Sequence, residues 1–324
     1  MPEAIRGTSR RRFLQKTTLL VATTQAPNLI LSTAKAEPRP TRDAKGSPVI
    51  ALGMHVNNWR ALGGNYRTAA EAARRCGLSH IELSALHGQN YVQALGYEPS
   101  ISLQSNPRAL KRYLDKLGLK VSQLDASFPM MGSEGSAFGV PYVQQAIRFA
   151  AEIGCGMVDT ADGESRIEGL TDEEVFRTTC QNYRQCLSWA EDYGVTVNIE
   201  PHGPYTTNGD FLDRLFSQLK SERLRMNFDM GNTFLAGLDP LQYLKRFRKQ
   251  VVHCHIKDVP AARGAETSMA IGNVPIGGGA NAENIKKCIA YLRETSWTGV
   301  MSIECYGSPE NLRKSIDFLN PLVG

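Results

Sequence analysis

The stretch VTVNIEPHG, residues 195–203, decides how this chain is read. Its alternating β-branched residues predict a short strand over 195–200, and that strand closes on a carboxylate, Glu200, followed by Pro201 and His202. Three later stretches close in a similar way. LRMNFD (224–229) ends in Asp229, VVHCHIK (251–257) runs through His255, and VMSIE (300–304) ends in Glu304. A single acid at a strand end is ordinarily a helix cap or a surface charge, and His255 beside His253 could be a core histidine. Four metal-competent side chains at four successive strand ends are a different matter. Neighbouring strands lie about 5 Å apart, so inward-pointing groups at one height would converge.

Working outward from this stretch, four more apolar runs precede it: VIALGMH (49–55), HIELSA (80–85), KVSQLDA (120–126) and MVDTAD (157–162). Amphipathic segments lie between the runs, among them TAAEAARRCG, PRALKRYLDKLG and VPYVQQAIRFAAEIG. A longer one opens on Thr171 with Glu174 three residues on, a capping-box pattern. Several segments end in glycine just before a strand (Gly77, Gly118, Gly154, Gly194), as a helix C-terminus requires. Eight strand–helix units over residues 48–324 predict an α/β fold, a single-domain (β/α)8 TIM barrel. An open doubly wound sheet would use the same strand count. It is disfavoured because no GxGxxG follows the first strand and no phosphate loop is present, and the GGGA at 277–280 is weak evidence for phosphate.

In such a barrel the working residues sit at the C-terminal ends of the strands. The expected metal ligands are therefore Glu200, Asp229, His255 and Glu304. One imidazole with three carboxylates is a hard, oxygen-rich set that favours Mn²⁺, Mg²⁺ or Co²⁺, with Zn²⁺ also compatible. Carboxylates in otherwise apolar strands would cost several kcal/mol each if buried without a partner, and one shared divalent ion removes that cost. His202 is expected either to orient the centre or to act as a general acid or base. His55, Trp59, Glu82, Asn232 and Lys257 are candidates for substrate contact, Trp59 by stacking on a sugar ring.

The chain has 324 residues and a formal charge of +5, which invites a nucleic-acid reading. Residues 1–36 hold six basic residues and one acid, leaving 31 of each sign in the remainder. The body therefore has no cationic excess with which to bind a polyanion. The same N-terminal segment matches a twin-arginine export signal. SRRRFLQK is followed by a moderately apolar run and then by Ala34-Lys-Ala36. The expected organisation is a signal peptide over 1–36, a linker over 37–47 and the barrel over 48–324, with export to the periplasm or beyond. No window is long and apolar enough to span a bilayer. Seven scattered cysteines without a CxxC pair predict free thiols rather than a disulfide framework. Whether barrels associate as a homo-oligomer is not set by the sequence.

VNIEPHG, MNFDMGN, HCHIKD and MSIECYG resemble the metal-binding strand ends of the xylose-isomerase-like sugar isomerase and epimerase barrels. The resemblance covers essentially residues 48–321. It implies that Glu200 and Glu304 both bind the metal and exchange protons with a carbohydrate substrate, with Asp229 and His255 completing the coordination. Two positions depart from the epimerase branch, which has a histidine where this chain has Asn232 and a second glutamate where it has Thr206. The implied chemistry is proton abstraction beside a carbonyl through an enediolate, giving epimerisation or isomerisation. The alternative is elimination from a keto-sugar or 3-keto-glycoside, with His202 suited to protonate the leaving group. A metal-free sugar-binding protein and an apurinic-site endonuclease share the fold. Six histidines and a neutral body argue against the endonuclease.

Overall fold

The computed structural model describes residues 50–59, 65–86, 99–163, 165–260, 274–306 and 308–324. The expected signal peptide and linker lie outside the described residues. Eight strands form the central sheet: β1 (Ala51–His55), β2 (His80–Leu86), β3 (Lys120–Pro129), β4 (Met157–Ala161), β5 (Thr196–Ile199), β6 (Leu224–Asp229), β7 (Val251–Lys257) and β8 (Val300–Glu304). Each pairs in parallel with the next, and β8 returns to β1 with Ala51 opposite Val300 and Met54 opposite Ile303. The ring is closed, which selects the (β/α)8 barrel over the open sheet. A two-residue strand, Ile101–Ser102, adds to the end of β2 at Ala85 and Leu86.

Nine helices of six or more residues among the described residues follow these strands: α1 (Tyr66–Arg75), α2 (Pro107–Leu117), α3 (Val140–Ile153), α4 (Asp172–Tyr193), α5 (Gly209–Leu219), α6 (Met230–Leu235), α7 (Pro240–Phe247), α8 (Ala282–Glu294) and α9 (Pro309–Val323). Thr171 and Glu174 form the anticipated reciprocal capping box at the start of α4. Gly118, Gly154 and Gly194 close α2, α3 and α4 in the left-handed conformation. No helix among the described residues is long and apolar enough to cross a membrane. All seven cysteines are free, and six are buried.

Side chains alternate along each strand, and the alternation separates two environments. One set, including Val158, Ile199, Phe228, Ile256 and Ile303, is fully buried in a continuous hydrophobic core with the helices. Thr160 belongs to this set and meets the hydroxyl of Tyr183 on α4 at 2.8 Å. The opposite set is polar. Hydrogen bonds cross between strands from Asn198 to Gln123, from Gln123 to Glu82 and from Asn227 to Asp159. Barrels of this fold usually fill their interior with branched aliphatic residues. Here the apolar packing sits between barrel and helices, and the lumen is left to polar groups.

Candidate active site

Glu200 follows the last residue of β5, and its N–H donates to the Thr160 carbonyl at 2.8 Å, which carries its side chain inward. Asp229 is both the end of β6 and the cap of α6. Its Oδ1 accepts from the N–H groups of Gly231 (2.6 Å) and Asn232 (2.8 Å), which leaves Oδ2 free to face β7. The helix begins so abruptly because residue 231 is glycine. A Cβ there would lie 2.6 Å from Lys257 Cβ and 2.9 Å from its carbonyl oxygen. On β7, His255 sits opposite Asp229 in the register, and Lys257 sits opposite Glu304 on β8.

These strand ends converge. His255 Nδ1 lies 2.9 Å from Glu200 Oε1, 3.9 Å from Asp229 Oδ2 and 3.9 Å from Glu304 Oε2. All four side chains are buried. Lys257 Nζ reaches Asp229 Oδ2 at 3.1 Å, Glu304 Oε2 at 2.7 Å and Asn232 Oδ1 at 3.3 Å. The 2.7 Å contact makes Lys257 the cationic partner of the buried Glu304 Oε2. Asn232 Nδ2 donates to Glu200 Oε1 at 3.2 Å, tying the β6 end to the β5 end.

Charge is unevenly shared among the carboxylates. Burial pushes Glu200 up, against the pull of His255. For Glu304 burial acts in the same direction, but Lys257, His255 and His55 outweigh it and hold the group at about 2. Burial opposes the charge of His255, yet Glu82, Glu304 and Glu200 raise it well above the ordinary imidazole value. Lys257 is likewise raised despite burial, by Asp229 and Glu304. Glu200 and Glu304 are therefore unequal as proton acceptors.

The remaining candidates are placed as follows. His55 ends β1 fully buried, with Nε2 3.2 Å from Asp125 Oδ2 and Nδ1 accepting from the Asn57 N–H at 3.1 Å. Glu82 is fully buried, and both of its oxygens face His255 Nε2, at 3.0 and 2.9 Å. Glu82 therefore touches His255 on the ring edge opposite the one that faces Glu200. Trp59 is 8% exposed and belongs to the hydrophobic core, so its ring is largely used in packing. His202 is exposed, and its N–H donates to Thr206 Oγ1 at 2.8 Å. Thr206, at the position where the resemblance implied a second glutamate, donates its hydroxyl hydrogen bond to Asp162 Oδ1 at 2.6 Å and anchors the loop after β5.

Five polar residues of the lumen were not among the candidates: Gln123, Asp125, Asp159, Asn198 and Asn227. Asp159 joins Glu200 and His255 in one cluster, and its Oδ1 is buried without a partner. A signal for four of them, all but Asp159, exists in the sequence. QLD, NIE, NFD and HCH all place polar residues two apart in apolar strands, which puts each pair on the same side.

The donor set fits a divalent cation. Asp229, His255 and Glu304 form one candidate cluster and Asp159, Glu200 and His255 another, the two joined at His255, and Asp159 Oδ1 is buried without a donor. Comparison with known proteins agrees with the architecture. The family model for the xylose isomerase-like TIM barrel matches residues 70–322. An inosose dehydratase of Lacticaseibacillus casei is 25% identical over 178 residues, covering 51% of this chain and 59% of that protein. The chain thus spans about three fifths of that curated relative. Among solved structures, the IOLI protein with a bound zinc atom superposes with a TM-score of 0.67 at 16% identity, covering 85% of this chain and 98% of the other. The D-allulose 3-epimerase of Methylomonas sp. in complex with D-allulose gives 0.66 at 14% identity, covering 85% and 98%. At these identities the structural likeness speaks for the fold alone.

Proposed function

The chain belongs to the xylose isomerase-like TIM barrel family, and on that premise we propose that it is a divalent-metal-dependent enzyme that enolises a free keto-sugar or keto-polyol. The observation that carries this reading is the convergence of His255 Nδ1 with the oxygens of Glu200, Asp229 and Glu304. An ion held by these four residues would act as a Lewis acid toward a substrate carbonyl. Glu200 serves as the base. Burial makes it a better proton acceptor than an exposed carboxylate, and Asn232 Nδ2 orients its Oε1. Lys257, buried against Asp229 and Glu304, supplies a fixed positive charge beside both carboxylates.

Two outcomes follow proton abstraction. Epimerisation or isomerisation requires a second group to return the proton, and Glu304 is the candidate. A specific observation favours the second outcome, elimination. Lys257 Nζ at 2.7 Å keeps Glu304 ionised and occupied, which suits a single-base reaction in which a leaving group departs. The dehydratase relative, taken by its name, points the same way.

The loops after β7 support an unphosphorylated substrate. Asp258 accepts from the N–H groups of Val259 (2.9 Å), Gly277 (3.0 Å), Gly279 (3.0 Å) and Asn281 (2.9 Å). Barrels of this fold frequently bind phosphate with loops in this region. A phosphate would find these donors taken and a carboxylate facing it. An unphosphorylated substrate also agrees with export through the twin-arginine route, which we propose from SRRRFLQK and the segment after it.

The test is metal analysis of the purified protein, followed by a screen of free keto-sugars and 3-keto-glycosides in D₂O with Mn²⁺. The expected result is one divalent ion per chain and deuterium at the carbon beside the carbonyl. An unsaturated product identifies elimination, and a stereoisomer identifies epimerisation. A metal-free protein that exchanges no proton in any substrate would refute the proposal.

A further inference from the structure

We propose that Glu82 is the positioning residue of this centre, which fixes the His255 ring so that Nδ1 faces Glu200, Asp229 and Glu304. The inference rests on the metal-centre reading above and deepens it. Glu82 lies on β2, across the barrel from β7, and is fully buried. Its two oxygens stand 3.0 and 2.9 Å from His255 Nε2. Both ring nitrogens face carboxylates in the metal-free protein, Nδ1 that of Glu200 at 2.9 Å. Once Nδ1 gives its lone pair to an ion, the one remaining ring hydrogen stays on Nε2, where Glu82 accepts it. Asn227 Nδ2 also lies 3.2 Å from Nε2, but it is itself a donor and is held by Asp159 Oδ2 at 2.8 Å. Glu82 is therefore the acceptor that holds the ring with Nδ1 toward the cluster.

Glu82 is itself held in place. Gln123 Nε2 donates to its Oε1 at 2.9 Å, and Asn198 Nδ2 donates to Gln123 Oε1. A chain of side chains thus runs from β5 through β3 and β2 to β7. Without Glu82, rotation about the final side-chain torsion of His255 would carry Nδ1 away from the carboxylates, because that torsion is broad and roughly two-fold. Partners that orient a metal-bound histidine typically change metal affinity by 10- to 100-fold when they are replaced.

The experiment uses the full barrel, stripped with EDTA and titrated with Mn²⁺ by calorimetry, with thermal melting of the metal-free form in parallel. Glu82→Gln keeps the shape and removes the charge. It is expected to weaken Mn²⁺ binding by about 10- to 100-fold while the stoichiometry stays at one. Gln123→Ala, which leaves Glu82 charged but unsupported, is expected to weaken it by a smaller factor, and this variant decides the matter if Glu82→Gln does not fold. Lower melting with unchanged Mn²⁺ affinity would overturn the inference, since it would make Glu82 a purely structural residue. Two ions bound per wild-type chain would also overturn it, because Glu82 would then be a ligand. Failure of the wild-type protein to bind Mn²⁺, Co²⁺ or Zn²⁺ would remove the centre itself, and it shows before any substitution is made.

Discussion

Replacing Lys257 with methionine removes one ammonium from the most crowded part of the barrel while keeping most of its aliphatic stem. In the wild-type protein Nζ stands 3.1 Å from Asp229 Oδ2 and 2.7 Å from Glu304 Oε2, and the residue is only 8% exposed. Glu200, Asp229 and Glu304 share two cations in the metal-free state, Lys257 and the His255 imidazolium, and the variant leaves one. Removing one partner of a buried ion pair costs about 3–5 kcal/mol, because the remaining charge is left uncompensated. In a domain of this size each kcal/mol moves the melting temperature by about 2–4 °C. The Lys257→Met protein in EDTA should therefore melt about 6–20 °C below the wild type. In saturating Mn²⁺ the gap should shrink to less than half, since the carboxylates regain a compensating charge. Melts followed by circular dichroism in both conditions give the answer. An equal loss with and without Mn²⁺ would refute the reasoning, because it would locate the effect in packing rather than in charge.

Glu200→Gln should lower solvent-deuterium incorporation into substrate by about 10²–10⁴-fold, the range for a lost general base, and a variant that exchanges at the wild-type rate would remove Glu200 from that role. Gly231→Ala forces a methyl group against Lys257 Cβ and its carbonyl. It should cost about 1–3 kcal/mol by denaturant unfolding and weaken Mn²⁺ binding through Asp229. The His55–Asp125 pair should make the metal-free protein's stability depend on pH. His55 is raised above 6.5 because Glu82 and Asp125 outweigh its burial, so its contribution is complete below that value and fades as pH rises through the raised one. Asp125 is lowered below 3.8 because His55 outweighs burial, so its contribution is present above that value and fades as pH falls through the lowered one. The stability gap between wild type and Asp125→Asn in EDTA should be widest between these limits and close on both sides. A gap that is flat from acid to alkaline pH would contradict the pair.

Much of the fold was legible because parallel strands buried on both faces read as compact runs between amphipathic stretches. The last three strands, LRMNFD, VVHCHIK and VMSIE, begin and end at the expected residues. Strand β3 runs on to Pro129, where the register shifts after Asp125 and pairing resumes at Ala161. An irregularity of that kind leaves no local pattern. Helix α6 was equally hard to see. It starts on the residue after β6 with no loop between, so no turn residue announces it, and Asp229 serves strand, cap and site together. The site divides in a comparable way. Its four strand-end groups are marked by position in short segments, whereas the role of Glu82 depends on a partner 173 residues away, which meets it only when the barrel closes. His202 and Trp59 mark the limit of reading by residue type. The sequence does not reveal that the imidazole of His202 is exposed or that the indole of Trp59 packs into the core.

A polar lumen asks for a physical reason, since each buried acceptor left without a donor costs about 1–3 kcal/mol. Asp159 Oδ1 and Asn198 Oδ1 are both in that condition. The barrel can carry this load because its apolar core lies elsewhere, in the layer between strands and helices, where Phe228, Ile256, Ile303 and their neighbours are fully buried. Stability and chemistry are thereby assigned to opposite faces of the same strands, one residue apart. A substitution at Phe228 should act on the fold, and one at Asp229 or Asn227 on the cluster. The two faces are coupled only through the backbone, which is why Gly231, where α6 crosses within van der Waals reach of β7, is the place where a change of one methyl group would disturb both.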